Sequence, residues 1–413
     1  MYPPLKINLK EEYTLQVKAL SELTVSELWK EINVTEEEIW GDLKIEAQVF
    51  LKRVLEGAME DEVMDYIGIS RRYERSEERE TQRNGYYKRD LETELGLVRE
   101  LEVPRSRDGG YRPKVFKRYK RRQEAVNDSI KDIFLAGVST RRVGEVLKPL
   151  IGANPSASTV SQVVKSLDTE VKRFHHRALW DRYRYLFLDG LTVRLKTALG
   201  ARKRLLLIAY GIRKDGRKEL IAFRQAKSES EEEWESLLND LYRRGLEGES
   251  LELIITDGAT GLHAAIDMVY PYTPRQRCWV HKLRNVAVKL SRNIQKECLW
   301  GAKLIYLAAN RKEAIKCYWD WATCWRDTQP KAVACLEKDL DELLTFFAFP
   351  EKHRSMIRTT NAIERSFREI RRRIRPMSCF TNEKSCERII YALFHYNNKK
   401  WENAPIPNFT QYS

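Results

Sequence analysis

The chain has 413 residues, and 74 lysines and arginines face 60 aspartates and glutamates, giving a net charge of +14 and a pI of about 9.3. That length allows two or three domains, and the positive excess favours a polyanionic partner, nucleic acid first. No apolar run is long enough to cross a bilayer and no charged-then-apolar leader opens the chain, so neither a membrane span nor secretion is expected.

Residues 1 to about 30 show weak periodicity. From Val34 to Tyr66 the pattern predicts a helix, with Ile39, Leu43, Ala47, Phe50, Leu51, Val54 and Leu55 recurring at three- and four-residue steps. The charged stretch "RRYERSEERETQRNG" reads as a solvated linker. Two short alternating runs then flank Gly96 and predict a β-hairpin. In "PRSRDGGYRPKVFKRYKRRQ", Arg105, Arg107, Arg112, Lys114, Lys117, Arg118, Lys120, Arg121 and Arg122 are interleaved with Tyr111, Phe116 and Tyr119. Such segments are usually solvated charge runs, but this density favours contact with DNA phosphates and sugars.

Three helices are expected from about Asp128 to Val171. Ser139 can cap the second, whose apolar face would be Val143, Val146, Leu147 and Leu150. Ser156 or Ser158 can cap the third, which would bury Val160, Val163, Val164 and Leu167 and leave Ser161, Gln162 and Lys165 outside. The pattern fits a helix-turn-helix whose outer face enters a major groove, and equally a small helical bundle.

From Tyr185 the texture changes. "YLFLDGLTVRL", "RLLLIAYGIR" and "ELIAFRQA" are apolar, rich in strand formers and separated by turns at Gly200 and at Asp215–Gly216. A helix follows, then the strand "LELIITDG" and a second helix. Three antiparallel strands followed by helix, strand and helix predict a mixed sheet covered on both faces. Residues 282 to 350 read as wholly helical, with Trp300, Trp319, Trp321 and Trp325 expected in their core.

Asp189 and Asp257 each end a buried apolar run and precede a glycine. Acids so placed lie at a sheet edge where a ligand can reach them, and two of them suit Mg²⁺ or Mn²⁺. Asp-Gly is also the commonest turn pair, so the two readings stand side by side. "QRCWVH" sets Cys278 three residues before His281, either half of a zinc site or a buried thiol beside a hydrogen-bonded imidazole. The seven cysteines, all between Cys278 and Cys386, read as reduced intracellular thiols. In "RTTNAIERSFREIRRRIR", Asn361 and Glu364 fit a capping box, and Glu364 shares a helical face with Arg368, Arg371 and Arg375. Glu369, with arginines four residues to either side, fits the part of a charge neutraliser.

Seven stretches in order, "YERSEERETQRNGYYKRDLETELGLVRELEVPRSRDG", "GVSTRRVGEVL", "YLFLDG", "ESEEEWESLLNDLYRRGL", "DGATGLHAAI", "QRCWVHKLRNV" and "TTNAIERSFREIRRR", resemble the Mutator family of transposases from about residue 70 to about residue 400. The resemblance implies an α/β fold: a ribonuclease-H-like mixed-sheet catalytic domain, interrupted by an all-helical insertion and preceded by a mainly helical DNA-binding region with a β-hairpin. The corresponding organisation is an N-terminal helical region over 1–80, the hairpin and basic arm over 81–125, and a helix-turn-helix-like region over 126–180. The catalytic domain would then occupy 181–281 and 351–413, with the insertion at 282–350. An Asp-Asp-Glu triad falls on Asp189, Asp257 and Glu364, holding two Mg²⁺ or Mn²⁺ ions, and the family's Cys-x-x-His element falls on Cys278 and His281, with Asn361 accessory.

The implied activity is cleavage at element ends and joining of the 3′-hydroxyl to target DNA, by a homodimer acting in the cytoplasm on the nucleoid, with no small-molecule substrate. The residues expected on double-stranded DNA are Arg105, Arg107, Lys117, Arg118, Arg121, Arg122, Ser161, Gln162, Lys165, Arg368, Arg371, Arg372 and Arg375. A DNA-binding protein without catalysis, or a nuclease of the same fold without strand transfer, would share the basic arm; only the first has no need of the acids.

Overall fold

The structure is a computed structural model that describes residues 36–69, 81–115, 121–198, 200–374, 379–407 and 409. The chain forms two compact units. One holds the described residues up to Ile130 together with Arg141–Val160, and the other holds Lys131–Thr140 and everything from Ser161 on.

The first unit is built on helix α1 (Glu36–Ile67) and a two-stranded antiparallel ribbon, β1 (Arg83–Thr93) and β2 (Gly96–Ser106). The ribbon turns at Glu94–Leu95 into Gly96, whose φ of 124° only glycine adopts without strain. Leu91, Val98, Leu101 and Val103 bury one ribbon face against Met59, Leu51 and Leu55 of α1. The buried line on α1 therefore runs through Leu51, Leu55, Met59, Val63 and Ile67, while Phe50 (71% exposed) and Val54 stay outside. The expected apolar stripe was too broad, because a two-stranded ribbon covers only a narrow strip of helix. The segment after β2 is tied back to α1 through Tyr111, whose hydroxyl donates to the Met59 carbonyl at 3.1 Å.

Helices α2 (Glu124–Leu135), α3 (Thr140–Ile151), α4 (Ala157–Val164) and α5 (Leu167–His176) follow. Ser156 caps α4 as expected, accepting from the Thr159 N–H at 3.2 Å. On α3 the buried residues are Val143, Gly144, Leu147 and Ile151, and the expected Val146 and Leu150 are exposed. Gly144 explains the rotation: a Cβ there would lie 2.2 Å from Asn154 Oδ1 and 2.4 Å from the Pro155 carbonyl, so that face is pressed against the following loop.

The second unit centres on a five-stranded mixed sheet in the order β5-β4-β3-β6-β7. Strands β3 (Tyr183–Thr197), β4 (Gly200–Arg213) and β5 (Lys218–Ala226) are antiparallel; β6 (Leu253–Thr256) runs parallel to β3, and β7 (Arg275–Arg277) parallel to β6. Helices α6 (Glu231–Arg243) and α7 (Thr260–Val269) supply Trp234, Leu237, Leu238, Leu241, Leu262 and Ile266 to a core shared with Leu186, Leu188, Leu207 and Ile254. Alternate residues Tyr185 and Phe187 serve other contacts: Tyr185 donates to, or accepts from, His353 Nδ1 at 2.9 Å, and Phe187 packs edge-on against Tyr210. This two-sided burial is why the β3 sequence is apolar without alternation.

Beyond β7 the chain is helical: α8 (Trp279–Ala287), α9 (Arg292–Leu307), α10 (Arg311–Trp325), α11 (Pro330–Glu337), α12 (Leu340–Leu344), a 3₁₀ turn Thr345–Ala348, α13 (Glu351–Ile357), α14 (Asn361–Ile374) and α15 (Glu383–Glu402). Buried Gln276 of β7 anchors this region, donating to the Leu343 carbonyl at 3.0 Å and accepting from the Phe346 N–H at 2.7 Å. Trp321 is in the core and donates to the Cys298 carbonyl at 2.9 Å, but Trp300 and Trp319 are 62% and 54% exposed. The expectation that the tryptophans form a core thus fails for those two, because the α9–α10 pair buries one face and leaves the other open. No described helix is long and apolar enough to cross a membrane.

Candidate active site

Asp189 lies in the middle of β3, opposite Ile208 of β4, with β6 ending alongside. Its side chain is buried, and Oδ1 accepts from the Gly190 N–H at 2.7 Å. Asp257 follows the last residue of β6 and accepts from the Ala259 N–H at 3.0 Å, so it opens the turn into α7. Glu364 comes from the first turn of α14. That helix buries Ile363, Phe367 and Ile370 along one face. The sheet and the helix bring the three acids into one neighbourhood from points far apart in the chain. Burial pushes the Asp189 carboxyl up to about 7; His281 opposes the rise, while negative Asp257 and Glu364 add to it.

The donor set suits a hard divalent cation in kind, since it is all carboxylate oxygen and its buried member is driven towards neutrality by burial and by its acidic neighbours. The acids are not closed around an ion: among the described residues no three His, Cys, Asp or Glu side chains are grouped to hold one.

Cys278, the N-cap of α8, and His281 in its first turn support this neighbourhood. The Cys278 sulfur is fully buried and accepts from the Thr360 N–H and from the Thr360 hydroxyl, each at 3.3 Å. Burial alone would raise the Cys278 thiol, but hydrogen bonds from His281 and Thr360 outweigh it and hold it below the ordinary thiol value. The hydrogen bond to Cys278 in turn raises His281, against its desolvation, and negative Asp189 and Asp257 add to the rise. His281 Nε2 stands 3.6 Å from Glu364 Oε1, and Arg284 reaches the same oxygen at 3.5 Å. The thiol and imidazole serve each other and the α14 N-terminus, which is the structural reading of the Cys-x-x-His pair.

The Asn361–Glu364 capping box does not form. Helix α14 begins at Asn361 itself, and the residues before it, Thr359 and Thr360, hold its start. Glu369 pairs with Arg372 at 3.0 Å, three residues on; the Arg365 side chain lies outside the described residues.

Next to Asp257, Gly258 has a φ of 91°, and a Cβ there would lie 2.3 Å from Arg277 Cζ. The Arg277 guanidinium is laid flat against this turn and held from the far side by Asp339 at 2.7 Å, which Lys282 also engages. The sequence reading gave no role to Arg277, Arg284, Thr360 or Glu229, although all four lie inside the quoted stretches "QRCWVHKLRNV", "TTNAIERSFREIRRR" and "ESEEEWESLLNDLYRRGL".

The expected DNA contacts fall into groups. In the first unit a cleft of about 730 Å³ is lined by Lys88, Arg89, Arg105, Arg107, Arg112 and Arg121 with Tyr87 and Tyr111, and no acid lines it among the described residues. Arg105 lies over the Tyr87 ring at 4.8 Å. Arg122 is more enclosed, 3.6 Å from Glu92 and donating to Asn127. Gln162 and Lys165 are exposed and Ser161 is partly so. Arg368, Arg371 and Arg372 are exposed on α14. Lys117, Arg118 and Arg375 lie outside the described residues. Two further clefts of about 550 and 730 Å³ flank α5 and contain none of the expected residues.

The second unit is thus a mixed α/β body with convergent acids, and the first carries a basic cleft on its ribbon. The family model for "Transposase, Mutator family" matches residues 26–404, and the chain belongs to that family. It is 34% identical to the transposase for insertion sequence element ISRM5 of Rhizobium meliloti over 354 residues, covering 86% of this chain and 88% of that one. It is likewise 34% identical to the transposase for IS256 in transposon Tn4001 of Staphylococcus aureus over 359 residues, covering 85% and 90%. A solved structure, the Mos1 transposase paired-end complex with left transposon end, is similar at 11% identity over 38% of this chain and 59% of that chain, with a TM-score of 0.15. That superposition is too loose to bear on fold or site.

Proposed function

We propose that this chain cuts DNA at the ends of its element and joins the freed 3′-hydroxyl to target DNA, on a ribonuclease-H-like domain whose catalytic acids are Asp189, Asp257 and Glu364. The observation that carries the reading is the shared electrostatic neighbourhood of these acids, in which Asp189 is buried and raised to about 7. A buried acid raised by its surroundings beside further acids marks a candidate functional site.

Both steps are displacements at phosphorus. Water forms a new P–O bond as the bond to the 3′ oxygen breaks; the resulting 3′-hydroxyl then attacks a target phosphodiester in the same sense. Asp189, Asp257 and Glu364 would hold two Mg²⁺ or Mn²⁺ ions. Bound there, divalent cations acidify the attacking hydroxyl and neutralise charge on the leaving oxygen. The chain's own part is positioning. The Asp189 strand is fixed on both sides by β4 and β6, His281 and Arg284 hold the Glu364 carboxylate, and Arg368, Arg371 and Arg372 offer charge for phosphates beside the cut.

The basic cleft of the β1–β2 ribbon, with Arg105, Arg107 and Arg121, binds the terminal inverted repeats, as do Ser161, Gln162 and Lys165 in a helix-turn-helix-like element. A homodimer holds two ends together on the nucleoid. The test is nicking of element-end DNA in Mg²⁺ or Mn²⁺ by wild type, Asp189→Asn and Glu364→Gln. Both variants should lose cutting while retaining end binding. Unchanged nicking by Asp189→Asn with metal present overturns the assignment.

A further inference from the structure

Glu229 lies outside the triad, in the four-residue junction between β5 and α6 that ends at Ser230, the N-cap of α6. Its Oε1 stands 3.2 Å from the position a Cβ on Gly190 would take, directly after Asp189. Its backbone is locked against the Asp257 segment. A Cβ on Gly261, in the first turn of α7, would meet the Glu231 nitrogen at 2.8 Å and the Glu229 carbonyl at 3.1 Å. Backbone atoms cannot swing aside as a side chain can, and Gly261 does not have a positive φ. The close approach of the Glu229–Glu231 turn therefore accounts for that glycine.

Glu229 is also uncompensated. Among the described residues it makes no ion pair, whereas nearby Glu233 lies 3.5 Å from Arg224. Burial raises its carboxyl, negative Asp257 adds to the rise, and His281 opposes it. It is exposed, at the rim of the cluster. A carboxylate held there would only repel a phosphate strand unless it shares a positive charge bound between it and Asp257.

We infer that Glu229 is a fourth carboxylate of the divalent-cation site, acting with Asp257. The inference rests on the proposed metal-dependent chemistry and names a ligand beyond the triad.

The test is calorimetric titration of Mn²⁺ into the full chain without DNA, for wild type, Asp189→Asn, Glu229→Gln and Glu232→Gln, with melting of each cation-free protein alongside. Glu229→Gln should weaken Mn²⁺ binding about tenfold or more, with a melting temperature equal to or above wild type because a like-charge contact is relieved. Glu232→Gln, a neighbouring acid facing Ser230 instead, should bind as wild type does. Wild-type affinity in Glu229→Gln alongside a loss in Asp189→Asn overturns this inference and leaves the triad standing. Absence of Mn²⁺ binding by wild type overturns both.

Discussion

Thr360 donates twice to the sulfur of Cys278, once from its backbone and once from its hydroxyl, each at 3.3 Å. The pair fastens the start of α14 to the end of β7, one turn of helix before Glu364. Thr360→Val keeps the shape and removes the hydroxyl donor. It should cost about 1 kcal/mol of stability yet lower cleavage by about tenfold or more, because Glu364 loses its fixed approach. A nicking assay beside thermal melting checks this; equal activity at reduced stability would make the contact merely structural.

Asp189 sets a pH dependence on the cation-free protein. Its carboxyl is raised from the ordinary value of 3.8 to about 7 by burial and by its acidic neighbours. Between those values the unfolded chain has released a proton that the folded chain keeps, so stability falls as pH rises from about 4 to about 7. Asp189→Asn should flatten that slope in urea denaturation measured without divalent cations. An identical slope in both proteins would contradict the burial argument.

Glu219 works in the opposite sense. Burial would raise its carboxyl, but Arg177 and Arg213 prevail and hold it below the ordinary value. Its contribution to stability is complete above the ordinary carboxylate range and is lost as pH falls towards the lowered value. Arg177 lies 2.7 Å away, with Arg182 and Arg213 engaged as well. Glu219→Gln leaves that cluster short of its negative partner and should cost about 3 to 5 kcal/mol, read as a fall in denaturation midpoint at pH 7 that shrinks on acidification.

The helical region separates its tryptophans. Trp321→Ala removes a buried ring and its bond to the Cys298 carbonyl, at about 3 to 5 kcal/mol. Trp300→Ala removes a ring already in solvent and should stay within about 0.5 kcal/mol. Chemical denaturation of the two variants decides it; comparable losses would place Trp300 in a core.

Gly258→Ala should act through Arg277. The new methyl would force the guanidinium off the Asp257 turn, and the φ of 91° adds strain of about 1 to 3 kcal/mol. Cleavage should fall further than in Gly109→Ala, which has a positive φ and open space around it.

Two acids of the candidate site could be picked out in the sequence because they end apolar runs. Asp189 and Asp257 follow "YLFL" and "LELIIT", and burial on both faces of a central strand makes such runs conspicuous. Glu229 was invisible because it sits in "SESEEEWESLL", where any acid passes for a first-turn residue of the next helix. The face of α1 came out narrower than expected, and that of α3 rotated, for a different reason. Periodicity reports that a helix is amphipathic, while the width of its partner and a close-approach glycine such as Gly144 decide which residues are covered. The exposed Trp300 and Trp319 belong to the same class of error, since composition says nothing about which side of a helical pair is left open.

The order of the acids along the chain has a consequence for synthesis. Asp189 and Asp257 emerge from the ribosome long before Glu364, and the Cys278 sulfur waits for Thr360. On the proposed chemistry, a nascent or prematurely terminated chain already carries the ribbon and its basic cleft but lacks the acid that completes the cutting centre. Such fragments would occupy element ends without breaking them, so an interrupted message yields a competitor of the intact protein rather than a source of stray breaks.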